Sequence, residues 1–136
     1  MPHASKPAVT GREYARAAEL REALRLFQRR TDEVTHAHGL TPRTYQLLLM
    51  LKTARNGDLR ATPQELEERL QLGKSTITEL VLRTERRGLV RRELDRQRGR
   101  GISIGLTSVG ARHLAAALTD LGDERKRLID ILRRLT

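Results

Sequence analysis

The sequence predicts a mainly α-helical chain carrying one small β-hairpin. Three observations predict it: apolar residues recurring at threes and fours over most of the length, Thr-Pro pairs that open helices, and one switch to period two over residues 89–106. A chain of 136 residues accommodates one domain, or one domain and an oligomerisation arm. Its 38% hydrophobic content supports a core, which must be aliphatic because Tyr14, Phe27 and Tyr45 are the only aromatic residues. The absence of cysteine excludes disulfides, thiolate metal sites and cysteine nucleophiles. No run approaches the roughly 20 apolar residues of a membrane span, and no signal-peptide pattern opens the sequence. A soluble, cytoplasmic protein with no membrane partner is therefore expected.

Residues 1–11 include Pro2 and Pro7, lack periodicity, and read as a flexible tail. From Arg12 to about His38, Ala17, Leu20, Leu24, Phe27, Thr31 and Val34 describe one long amphipathic helix, with Gly39 as its stop. Thr41-Pro42 gives a cap and an N1 proline to a second helix. Its Tyr45, Leu47, Leu48, Leu49 and Leu51 wrap most of the circumference, so it should be central. It ends near the turn pair Asn56-Gly57. Thr62-Pro63-Gln64-Glu65 has the form of a capping box and opens a short helix that turns Leu66 and Leu70 inward and breaks at Gly73. A fourth helix, about residues 74–87, buries Ile77, Leu80 and Val81 and stops at Gly88. Leu89–Leu94 and Gly101–Leu106 then read as two strands. Thr107 caps a final helical stretch that bends or restarts at Gly122-Asp123.

The charge is placed unevenly. The chain carries 27 Lys+Arg against 17 Asp+Glu, a net charge of +10. Residues 83–100 hold eight arginines against Glu85, Glu93 and Asp95, which is half of that excess in 18 residues. A polyanion is the first partner such a footprint suggests. Helix, three-residue turn, helix, then a hairpin with a basic tip is the order of a winged helix-turn-helix. In that fold the second helix offers its N-terminal side chains to base edges in the major groove. The candidates are Lys74, Ser75, Thr76, Thr78, Glu79 and Arg83. Lys74 and Arg83 suit a guanine or a phosphate, and Glu79, which only accepts, suits cytosine N4. The wing arginines Arg96, Arg98 and Arg100 are placed to enter a neighbouring minor groove.

Over about residues 12–136 the sequence resembles the MarR family of bacterial transcriptional regulators. The resemblance rests on the order and spacing of Leu40-Thr41-Pro42, Thr62-Pro63-Gln64-Glu65-Leu66, Gly73-Lys74-Ser75-Thr76-Ile77-Thr78, Arg87-Gly88-Leu89-Val90-Arg91-Arg92 and Leu106-Thr107-Ser108-Val109-Gly110. It implies a homodimer joined through the first helix (12–40) and the C-terminal helices (107–136), around a DNA-binding lobe over 41–106. It also implies a repressor that binds a pseudo-palindromic operator in double-stranded DNA. Release by a small anionic or phenolic effector, in a cleft that Tyr14, Phe27 and Tyr45 are placed to line, belongs to the same implication; these aromatics serve equally as core or subunit contacts. Four positions depart from the family pattern. Arg98 stands where the wing usually has aspartate, Glu79 where many members have arginine, and Leu82 and Thr84 reverse the usual polarity.

Other chemistries are excluded or disfavoured. Gly73-Lys74-Ser75-Thr76 is not a phosphate-binding loop, because Glu68 occupies the required glycine position and no strand precedes it. His36 and His38 lie two apart on a helix and point to different faces, which disfavours a metal site. No catalytic set and no cofactor motif is recognisable. Charge alone fits two alternatives as well: a basic architectural or RNA-binding protein without sequence preference, and a winged helix that binds a protein partner.

Overall fold

The computed structural model describes residues 8–55, 57–95 and 101–136. Six helices and a small sheet follow in the order α1 (Gly11–Ala37), α2 (Pro42–Lys52), β1 (Arg60–Ala61), α3 (Pro63–Leu70), α4 (Lys74–Arg86), β2 (Val90–Asp95), β3 (Gly101–Leu106), α5 (Ser108–Asp120) and α6 (Gly122–Leu135). Threonine hydroxyls start four of the helices: Thr10, Thr41, Thr62 and Thr107 each accept a backbone N–H from the first turn. Two of the sequence expectations change here. The complete capping box is at Thr10 and Glu13 and starts α1 at Gly11, one residue before the expected Arg12, while residues 1–7 of the expected tail lie outside the described residues; at Thr62 only the hydroxyl half forms, and Glu65 Oε2 is buried without a partner. Helix α3 ends at Gln71, which takes the left-handed conformation (φ 55°), whereas Gly73, expected as the breaker, is the cap of α4.

The sheet is antiparallel with order β1-β3-β2. β2 and β3 form the expected hairpin, in register from Val90↔Leu106 to Asp95↔Gly101. The sequence did not announce β1, because two residues carry no alternation; Arg60 and Ala61 become a strand only by pairing with Gly105 and Ile104.

The apolar residues of α2 make it the hub, packed on α1, α3, α4, α5 and the sheet. Leu47, Leu48 and Leu51 have no exposed surface, and they meet Leu66 of α3, Ile77 and Leu80 of α4, Ile104 of β3 and Ala117 of α5. Each such side chain contributes roughly 1.5–3 kcal/mol by leaving water. α1 and α6 behave differently. They pack on each other, yet α6 buries no residue, and Leu20, Leu24, Leu26 and Ile129 remain exposed.

Among the described glycines, the tightest approach is at Gly110, where α5 meets the root of the hairpin. A Cβ on Gly110 would run into the Leu89 carbonyl oxygen and reach within 2.9 Å of Leu106 Cδ1. Alanine ordinarily favours a helix over glycine by about 1 kcal/mol, but here the sign reverses. Gly110→Ala should destabilise the protein by roughly 1–3 kcal/mol in urea denaturation, whereas Gly11→Ala, in open space, should not.

Candidate nucleic-acid interface

Thirteen residues form α4, and their faces divide cleanly. Ile77, Leu80, Val81 and Thr84 point into the core, Thr84 donating its hydroxyl hydrogen to the Leu80 carbonyl at 2.7 Å. The opposite stripe, at helical spacing, is Ser75, Thr78, Glu79, Leu82, Arg83 and Arg86; all are exposed except Leu82, which is half-buried. The structure therefore brings Ser75, Thr78, Glu79 and Arg83 together as one surface. Lys74 is exposed beside them, and Thr76 is half-buried on the flank. The residues that the sequence reading left off this surface are Arg86 and Leu82. Counting threes and fours from Ser75 would have found both. Thr84, one of the departures from the family pattern, is core and is satisfied within its own helix.

Unlike α1, α2, α3 and α5, helix α4 begins at Gly73 without a side-chain cap. Its first-turn N–H groups, with the positive end of the helix dipole, are thus left to solvent or to a phosphate oxygen.

Hairpin and helix are tied together by charge. Glu85, in the last turn of α4, receives Arg92 Nε at 3.0 Å and the Arg92 backbone N–H at 3.2 Å. These bonds from Arg92 hold the Glu85 carboxyl below its ordinary value of 4.5. On the other face of the sheet, Glu93 bridges Arg60 of β1 and Arg91 of β2, the latter at 2.8 Å. Arg91 and Arg92 are thus engaged in holding the sheet. Arg83 and Arg86 have no ion-pair partner among the described residues and stay available to an external anion. The wing arginines Arg96, Arg98 and Arg100 lie outside the described residues.

The joint between α1 and the lobe is polar. His38, the C-cap of α1, contacts Asp120 of α5 through Nε2 at 2.6 Å, and its carbonyl accepts from His113 Nδ1 at 3.3 Å. Arg87 donates to the Gly39 carbonyl, linking the end of α4 to the same joint. A cavity of about 650 Å³ opens among α1, α2 and α6, with Leu121, between α5 and α6, in its lining. Phe27 and Tyr45 line it, with Leu49 and Leu128 as apolar walls and Arg43 and Arg125 at its edge. Burial raises the Tyr45 pKa above 10.0, against the opposing field of Arg125, so the phenol stays neutral at pH 7. Thr31 also lines the cavity, and its hydroxyl is buried without a partner. Tyr14 is not part of this wall. It stands thirteen residues before Phe27 on α1, about 20 Å along the helix axis, and is 67% exposed.

This geometry defines a winged helix-turn-helix protein with an outward-facing recognition helix. Residues 38–101 match the family model described as MarR family, and the chain is built as MarR family transcriptional regulators are. The crystal structure of AbsC, a MarR family transcriptional regulator from Streptomyces coelicolor, is 23% identical and superposes with a TM-score of 0.79 over 93% of this chain and 84% of its own. A MarR family protein from Bacillus stearothermophilus is 27% identical, with a TM-score of 0.71 over 92% and 83%. A mutant MarR from E. coli complexed with operator DNA is 22% identical, with a TM-score of 0.69 over 79% and 75%. No curated protein sequence matches the chain.

The tie between hairpin and helix has a pH signature. A carboxyl with a lowered folded-state pKa stabilises fully above its unfolded value, and that contribution is lost as pH falls through the lowered value. As pH falls from neutral to below 4.5, Glu85→Gln should therefore show a shallower fall of stability than the unaltered protein. Thermal melts across that range, made on both proteins, check it.

Proposed function

We propose that this chain is a sequence-specific, double-stranded-DNA-binding transcriptional regulator that acts as a homodimer. The observation that carries this reading is the outward stripe of α4. Short hydroxyl side chains, one acceptor and two unpaired arginines share a single helical face beside a basic hairpin. That mixture suits base edges flanked by phosphates, with phosphate contacts positioning the protein and base contacts specifying the site. The operator complex of the E. coli relative supports the same use of the fold.

The second copy is argued from α1 and α6. Their outer surfaces keep leucines and Ile129 in water in one chain, and a matching surface would bury them. Two recognition helices would then lie about one turn, ~10 bp, apart on a pseudo-palindromic operator, as a repressor would occupy it. The cavity between this dimerisation region and the lobe is the proposed effector site. Its two guanidinium groups against the single carboxylate of Asp32, its neutral Tyr45 phenol and its apolar walls suit a small anionic or phenolic compound. Arg96, Arg98 and Arg100 are retained as wing contacts to the minor groove, and Tyr14 as a contact of α1 with the second copy. The site of action is the cytoplasm, and no catalysis is assigned.

Selection from a randomised duplex library tests the specific reading. An inverted repeat should emerge; equal retention of all sequences would instead favour the architectural alternative. On the selected duplex, Arg83→Ala should weaken binding and reduce the slope of log affinity against log salt by about 1. Ile129→Glu should shift sedimentation towards monomer and weaken binding by roughly tenfold or more, because a carboxylate buried without a partner costs several kcal/mol.

A further inference from the structure

One residue on the outward stripe of α4 does not fit a face made for phosphates and hydrogen-bonding base edges. Leu82 lies among Thr78, Glu79, Arg83 and Arg86 and is half-buried rather than covered. With Thr78 it forms the outer part of one wall of an open slot of about 120 Å³, which continues inward to the buried Ile77 and Val81 of the same helix; the other wall is Pro63, Ile102, Ile104 and the side chain of Arg92. The slot is apolar for a reason visible in the geometry. Glu85 holds the Arg92 guanidinium through Nε at 3.0 Å, which occupies its charge outside the slot, and the remaining lining side chains except Thr78 are apolar. The apolar surface continues outward along the hairpin, where Leu94 is 73% and Ile102 44% exposed as cross-strand neighbours.

A helix face entering the major groove meets only one apolar group on the base edges, the C5-methyl of thymine. We infer that Leu82, with Thr78 and Ile102, reads a thymine methyl group, and is a specificity-determining residue of the interface. This rests on the DNA-binding reading above and adds to it the base that the apolar slot selects. Arg83 and Arg86 beside the slot supply the cations for the flanking phosphates, which fixes the slot's register against the bases.

The test uses the full chain and the duplex recovered by selection. Each thymine is replaced singly by deoxyuridine, which removes the methyl and leaves base pairing intact. The unaltered protein should lose about three- to fourfold in affinity at one or two thymines per half-site, the effect of one methyl leaving a buried contact. At those positions Leu82→Ala should bind thymine and deoxyuridine equally well. Leu82→Met, which keeps an apolar side chain, should retain the discrimination. A scan in which no deoxyuridine weakens the unaltered protein overturns the inference, and this arm needs no variant to fold. An equal loss in Leu82→Ala also overturns it, since the methyl would then be read elsewhere. Failure to select any duplex would refute the DNA-binding reading itself, and the inference with it.

Discussion

The geometry of the interface depends on the contact between the Leu89 carbonyl and Gly110. α4 ends one turn earlier, and Gly88, at φ 74°, reverses the chain into the hairpin. Thr107, where the hairpin returns, closes the same point from both sides: its hydroxyl hydrogen goes to the Gly88 carbonyl at 2.6 Å, and its N–H to the Leu89 carbonyl at 3.2 Å. The same hydroxyl oxygen starts α5 by accepting the Gly110 N–H at 3.0 Å. The recognition helix, both hairpin strands and the helix leading to the C-terminal arm thus share a single joint. Its closeness is possible only because residue 110 lacks a side chain. A backbone contact of this kind has little slack for a larger residue at this point.

From that joint outward, the arginines divide into two populations. Arg60, Arg91 and Arg92 are paired with Glu93 and Glu85 and hold the three strands to each other and to α4. Arg69 does the same for α3, donating to the carbonyls of Met50 at 2.9 Å and Thr53 at 3.2 Å at the end of α2. Exposed ion pairs are each worth little, but here they orient elements that the core has already placed. Arg83 and Arg86, on the outward stripe of α4, have no such duty among the described residues. Counting net charge alone would merge them with the paired arginines of the sheet.

Much of this was legible in the sequence because local signals agreed. The Thr-Pro starts at 41 and 62, the stop at Gly88 and the period-two run all led to elements where they were expected. What escaped had no local signature. β1 exists through its partner strand, and Gln71 accepts a left-handed conformation that a glycine two residues later appeared better suited to. Thr10 and Glu13 form a capping box that the sequence reading did not use, although it placed the start of the helix within one residue. At the site, polar composition identified Ser75, Thr78, Glu79 and Arg83, whereas Leu82 stood out only as a reversal of the usual polarity and was not placed on the contact face. Tyr14 was grouped with Phe27 and Tyr45 by residue type; the rise of the helix separates it from them.

The central claim is that two copies present α4 to successive major grooves of one duplex. Hydroxyl-radical footprinting on a selected operator tests it most directly. The account predicts two protected segments related by a dyad and spaced about one helical turn, ~10 bp, between centres. Protection of a single segment, or uniform protection along the whole fragment, would contradict it.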